Sequence, residues 1–354
     1  MTSSNRHIAY IGARTTKQRN ARGNGLNVYR LEDGVRWTHL QLLELENPSF
    51  LAFDRTGDFL YTVHGDMDRV SAFAIDPASG CLTLIDEQST EGRNPVHLAF
   101  DPENRFLLVA NHVTSTLALL PRREDGTLGA VVDLVSISGK IGPHRIEQPF
   151  AKPHQVEFDP SGRYIAVPDK GLDNILVFRL DSAAAKLVEV SSVQTREGSG
   201  PRHLAFHPGG TLAYVVNELD STVTAYRFNP ATGVLQPFQI LSALPDSFTA
   251  FSRGSEIAVS ADGKFVYVSN RGSDTIGTFS LSEDGRMTPA GWRTTEGQTP
   301  RFFTFVPGGN QLLAANEDSD TVVTFGVDPI TGELQNAEAT LSVGSPVCIL
   351  LRPA

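Results

Sequence analysis

The chain has 354 residues, 40% of them hydrophobic and 20% charged, with a formal net charge of -10. This composition belongs to a water-soluble globular protein with ample length for a large core. It excludes several classes at once: no apolar run nears the ~18 residues of a membrane span, no Lys/Arg block is present to neutralise nucleic-acid phosphates, and Cys81 and Cys348 form neither a disulfide framework nor a metal knuckle.

The polar start, Met1 to His7, has no signal-peptide pattern, so a cytoplasmic location is expected. The first strands follow directly, as HIAYIGAR, GLNVYRL and WTHLQLLEL. A pattern then begins that recurs down the chain. It reads NPSFLAFDRTGDFLYTVHG at 47–65, NPVHLAFDPENRFLLVANH at 94–112 and KPHQVEFDPSGRYIAVPDK at 152–170. It returns as GPRHLAFHPGGTLAYVVNE at 200–218, GSEIAVSADGKFVYVSNR at 254–271 and TPRFFTFVPGGNQLLAANE at 299–317. All six copies align without gaps about Gly57, Asn104, Gly162, Gly210, Gly263 and Gly309. Each predicts two antiparallel strands around a tight turn. A third strand follows, such as NILVFRLD or TVTAYRFN, then a Gly-containing turn such as DPASG or NPATG, then a variable fourth strand.

Four antiparallel strands repeating at a period near 50 residues predict a β-propeller. Six units are complete. The C-terminal SPVCILLRP reads as a lone first strand, and the three N-terminal strands supply the rest of a seventh blade, which closes the ring. The expected fold is therefore all-β, one seven-bladed domain over residues 1–354. Two inserts break the rhythm, at 136–151 and 242–253, and long loops in compact domains are often functional.

Because the scaffold repeats, positions that differ between blades carry information. Eight residues before each turn position stand Ser49, Val96, His154, Arg202, Ser255 and Arg301. Eight residues after it stand Gly65, His112, Lys170, Glu218, Arg271 and Glu317, with Arg14 the match in the closing blade. Antiparallel neighbours start and end on one side, so these residues should converge on one rim of the central channel, exposed and outside the inter-blade core. Arginine holds carboxylate or phosphate in bidentate fashion, imidazole moves protons near neutrality, and Glu218 among cations should stay ionised as a base or an orienter of water. The combination predicts hydrolysis or proton transfer on an anionic substrate. His154, Arg202, Glu218 and Arg271 are the expected catalytic residues; His203, Lys170, Arg301 and Asn217 are the expected substrate-binding residues. No metal and no cofactor is expected: there is no G-x-S-x-G, HExxH, Cys cluster or P-loop, and a calcium site on Glu218 and Glu317 is disfavoured by the cations nearby.

KPHQVEFDPSGRYIAVPDKG, GPRHLAFHPGGTLAYVVNEL, SEIAVSADGKFVYVSNRG and the insert GPHRIEQPFAKPHQ together resemble the seven-bladed propeller lactonases, which include propeller-type 6-phosphogluconolactonase and carboxy-cis,cis-muconate cyclase. The resemblance covers essentially the whole chain. It implies lactone chemistry on His154, Arg202, Glu218 and Arg271, with a small anionic lactone as partner and a monomer or weak homo-oligomer as the assembly. Hydrolysis of 6-phosphogluconolactone is the leading expectation. Muconate lactonisation is the nearest alternative. A non-catalytic scaffold propeller is the third, weakened by the absence of repeated Trp-Asp pairs and by a basic rim where an apolar patch would be needed.

Overall fold

Within each repeated unit the apolar pattern weakens from the second strand outward. In the fourth copy Leu212–Asn217 is buried throughout, whereas Val234–Ser242 alternates towards exposure. A strand covered by a neighbouring sheet on both faces must be apolar on both; a strand at the outer edge meets water. The computed structural model describes residues 6–354, so most of the segment searched for a leader, positions 1–5, lies outside the described residues.

Seven four-stranded antiparallel sheets form the molecule. Blades 1 to 6 follow the repeats, at 48–89, 95–136, 157–194, 201–242, 253–294 and 300–342. The closing blade joins Pro346–Pro353 to Arg6–Ala13, Leu26–Glu32 and Arg36–Leu43, with Tyr10 opposite Leu350. The ring closure expected from the sequence is thus present. First strands of successive blades adjoin around the axis, apart from the short one of blade 3. Apolar clusters fill the gaps between sheets, for example Tyr214, Val216 and Val223 of blade 4 against Val266, Val268 and Phe279 of blade 5. No helix among the described residues is long and apolar enough to cross a membrane.

A repeated hydrogen bond ties blade to blade. The hydroxyls of Tyr10, Tyr61, Tyr214 and Tyr267 donate to the carbonyls of Gly80, Gly126, Gly285 and Gly332, at 2.7–2.9 Å. Each glycine is in the hairpin turn between the third and fourth strands of the following blade. At Gly285 the φ is 83° and a Cβ would stand 2.4 Å from a Leu212 methyl, so only glycine lets the turn approach closely enough to accept the bond. Tyr214→Phe should therefore lower stability by about 1 kcal/mol, because it leaves a buried carbonyl without its donor. Urea unfolding measures this; an unchanged midpoint would show that the tie is incidental.

Two details depart from the regular repeat. The first strand of blade 3 shrinks to Glu157–Phe158 plus an isolated bridge between Pro153 and Asp169. Between the first two N-terminal strands a 3-10 turn, Lys17–Arg19, folds over the rim, and Arg19 pairs with Asp66 of blade 1.

Candidate active site

The ladder between first and second strands slips at the same place in blade after blade. Pro201 pairs with Asn217 and His203 with Val216, which leaves Arg202 unpaired between them. The same shift leaves out Ser49, Val96, Arg301 and Val347, and in blade 5 both Ser255 and Glu256. In blade 3, His154 falls between the Pro153 bridge and the short strand. An extra residue in one strand turns its side chain out of the regular alternation. The preceding residue is proline in blades 1, 2, 3, 4 and 6 and in the closing blade, and a residue without an N–H suits the start of a strand. The bulges aim Ser49, Val96, His154, Arg202, Arg301 and Val347 at the axis. With Arg14 they enclose a space of about 10 Å³, the size of one water molecule.

Above this ring stands Glu218. Its Oε1 lies 3.1 Å from Lys170 Nζ and 3.3 Å from Arg253 Nη1; its Oε2 lies 3.3 Å from Arg202 Nε and 3.2 Å from Arg271 Nη2. Burial alone would raise this carboxyl, but Lys170, Arg271 and Arg202 outweigh it and hold the group well below the usual carboxylate range. A carboxylate bound by four cations is a poor proton acceptor. Of the two roles expected for Glu218, a base or an orienter of water, the base is disfavoured, and its contacts make it the counter-ion of the four cations. Arg202 and Arg271 are anchored from behind by the carbonyls of Ser255, at 2.6 Å, and Gly254, at 2.9 Å.

The two inserts meet here. Glu147, from the 136–151 insert, accepts from Arg253 Nη2 at 2.6 Å and Lys170 Nζ at 3.1 Å. Burial pushes Glu147 up, but the two cations prevail and bring it down to about 2. Neither Glu147 nor Arg253 stands out in the repeats, since both belong to inserts. On the far side Arg14 faces Asp66 at 3.7 Å and Arg301 faces Glu317 at 3.6 Å.

Fixed positive charge dominates. Burial, with Arg271 and Arg301 nearby, pulls Arg202 down to about 9, and burial with Arg301 and Arg19 does the same to Arg14. Both stay protonated at neutral pH. The Nε of Arg271 is buried without a hydrogen-bond partner among the described residues, and Arg202 Nε and Arg14 Nη1 have only their 3.3 Å and 3.7 Å ion contacts with Glu218 and Asp66. Unpaired buried donors of one sign call for an anion. The histidines add no charge: burial, then Arg202, holds His154 and His203 well below their ordinary range, and burial with Lys170 brings His112 down to about 3.

Two expectations need correction, the exposed rim and Asn217. The polar strand ends are not an exposed rim: Arg202 and Glu218 are 3% and 4% exposed, because side chains from four blades and an insert close over them. His203 lines the same narrow space beside His154, with Nε2 3.1 Å from His154 Nδ1 and Nδ1 2.9 Å from Glu256. Asn217 turns into its own blade and donates to Thr222 and Thr224, as Asn111 and Asn316 donate to Thr116 and Thr321. It is a repeated structural amide. Lys170 and Arg301 do reach the cluster, though Lys170 is held between two carboxylates. Glu256 was missed, yet the column one residue further along each first strand reads Phe50, His97, Gln155, His203, Glu256 and Phe302, and its polar members were there to be found.

A roomier cavity, ≈ 790 Å³, opens at the opposite end of the channel among Phe50, Phe100, Phe158 and Phe302, with Asp54, Glu157 and Asp159 as its acids. It has space but lacks the convergent cations, so the narrow end is the better candidate for chemistry.

Comparison with known proteins gives the family. Residues 8–351 match the model of the family described as lactonase, 7-bladed beta-propeller. The chain is 36% identical over 352 residues to the 6-phosphogluconolactonase of Bacillus subtilis, covering 97% of this chain and 98% of that one. It is 32% identical over 350 residues to the 6-phosphogluconolactonase of Formosa agariphila, covering 94% and 96%. The solved structure of a periplasmic gluconolactonase from Pseudomonas aeruginosa superposes with a TM-score of 0.89 at 30% identity, covering 98% and 99%.

Proposed function

The chain belongs to the seven-bladed β-propeller lactonase family, and on that premise we propose that it hydrolyses an anionic sugar lactone, 6-phosphogluconolactone foremost, without a metal ion. One observation carries this reading. Four cations gather about Glu218 directly over the ring that holds His154, and the buried Nε–H of Arg271 beside them has no hydrogen-bond partner among the described residues.

The proposed chemistry follows from the placement of the groups. Arg202 and Arg271 receive the lactone carbonyl and the charge that gathers on its oxygen as water adds. His154, kept neutral by its surroundings, takes the proton from that water through Nε2, since Nδ1 is engaged by His203. The ring C–O bond then breaks and the leaving oxygen regains a proton. Lys170 and Arg253, bridged by Glu147, are placed to hold a phosphate that displaces the Glu147 carboxylate. Glu218 keeps the arginines aligned.

Purified protein should open 6-phosphogluconolactone well above its spontaneous rate, with lower KM than for the unphosphorylated lactone, and a chelator should change neither. Equal handling of the two lactones would remove the anion-binding role. Turnover of carboxymuconate in place of either would transfer the site to lactonisation. Loss on chelation, restored by Ca²⁺, would end the metal-free version.

A further inference from the structure

Below His154 a line of buried groups continues down the axis. His154 Nδ1 is 3.1 Å from His203 Nε2, and His203 Nδ1 is 2.9 Å from Glu256 Oε1. The three come from blades 3, 4 and 5 and are 5%, 1% and 7% exposed. The Glu256 carboxyl is fixed in place: Oε1 also accepts from the Ile257 N–H at 3.0 Å, and the Glu256 N–H donates to Ser269 Oγ at 3.0 Å.

With both imidazoles neutral, only two proton arrangements satisfy this chain. With Glu256 ionised, His203 donates from Nδ1 to the carboxylate and its bare Nε2 accepts from His154 Nδ1–H; His154 Nε2 is then a lone pair. With Glu256 protonated, every bond reverses. The carboxyl O–H donates to His203 Nδ1, His203 Nε2–H donates to His154 Nδ1, and His154 Nε2 carries a proton. A neutral imidazole has one donor and one acceptor, so each ring can only switch whole.

We propose that Glu256 is the terminal proton acceptor for His154, reached through His203. When His154 Nε2 takes a proton from the attacking water, its Nδ1 proton passes to His203 Nε2 and the His203 Nδ1 proton passes to Glu256. The water loses one proton, both imidazoles end neutral with tautomers exchanged, and the carboxylate becomes a carboxylic acid. The reverse shift returns the proton to the leaving oxygen.

The surroundings favour this route over an imidazolium. Burial together with Arg202 opposes positive charge on either histidine. At Glu256, burial raises the carboxyl to about 7, against the pull of Arg202, His97 and Arg301. Glu157 below and Cys348 of the closing blade are the other titratable groups facing it. An acceptor poised near neutrality exchanges a proton with least loss in either direction. Glu256 and His203 are thus positioning residues that act through His154 and do not touch substrate.

The relay deepens the lactonase reading and borrows from it only the identity of the water's target. It can be read without turnover. In protein labelled with ¹⁵N-histidine, two rings should hold their proton on Nδ1 above neutral pH and move it to Nε2 together as pH falls through about 7, with no imidazolium formed. In Glu256→Gln, which keeps shape but cannot take a proton, neither ring should switch. In lactone kinetics the same variant should lose roughly 10²-fold in kcat, keep KM, and lose the acidic limb of the wild-type profile. Rings that titrate separately, or a switch that persists in Glu256→Gln, overturn the relay. A switch without lactone hydrolysis removes the substrate reading and leaves the relay standing; hydrolysis without a switch does the reverse.

Discussion

Glu218→Gln should lower the melting temperature and abolish most activity together. The substitution keeps the size of the side chain and removes its charge. Lys170 and Arg253 retain Glu147, but Arg202 and Arg271 have their only ion pairs, among the described residues, with Glu218. Removing one partner of a buried ion pair typically costs about 3–5 kcal/mol, because the other charge stays in a low-dielectric setting uncompensated. The arginines should also splay, so kcat should fall even though Glu218 itself takes no proton in the proposed reaction. The folded protein holds this carboxyl well below 4.5. Its stabilisation is therefore complete above that pH and is lost only as pH falls through the lower, folded-state value. Inorganic phosphate should recover part of the lost melting temperature by supplying the missing anion. Thermal melts of both proteins at neutral pH, with and without phosphate, decide the matter. Superimposable melts would mean that the cations are held by the backbone alone.

Arg202→Ala should show the opposite balance, a small change in stability and a large one in rate. Glu218 keeps three cations without Arg202, so the cluster stays paired. What disappears is the guanidinium that projects from the bulge beside His154, whose Nε–H makes only the 3.3 Å ion contact with Glu218 and no directed hydrogen bond among the described residues. Loss of one such donor costs about 10²–10³ in kcat. Arg202→Lys should recover little, since a single ammonium cannot reach Ser255 O at 2.6 Å and face Glu218 and the substrate at once. The two variants need kcat, KM and melting curves side by side. Activity near wild type in Arg202→Ala would move the oxyanion site elsewhere, with Arg271 the next to test.

The propeller was legible because its information is local and repeated. A strand pair such as GPRHLAFHPGGTLAYVVNEL states its own turn, strand direction and buried face, and six gapless copies state the symmetry. Register in a repeat is shared, so columns of unlike residues identified His154, Arg202, Glu218 and Arg271 as one cluster before any contact was known. What the sequence alone determined therefore extends to the fold, the closure of the ring by its two ends, and the convergence of charge at one end of the channel. Tertiary structure decided how those charges live. Burial of Arg202 and Glu218 depends on side chains from four blades and from the 136–151 insert, and no local pattern reports how completely they close. Arg253 and Glu147 join the cluster from inserts that have no counterpart in the other blades to be compared with. Glu256 meets His203 across two blades, a pairing of neighbouring columns that only the closed ring brings about. Asn217 turned away from the site for a related reason: sequence spacing places a residue at a strand end, but which of two directions its side chain takes is settled by a shift of one position in the ladder, and in a strand of period two that shift moves a side chain from one face to the other.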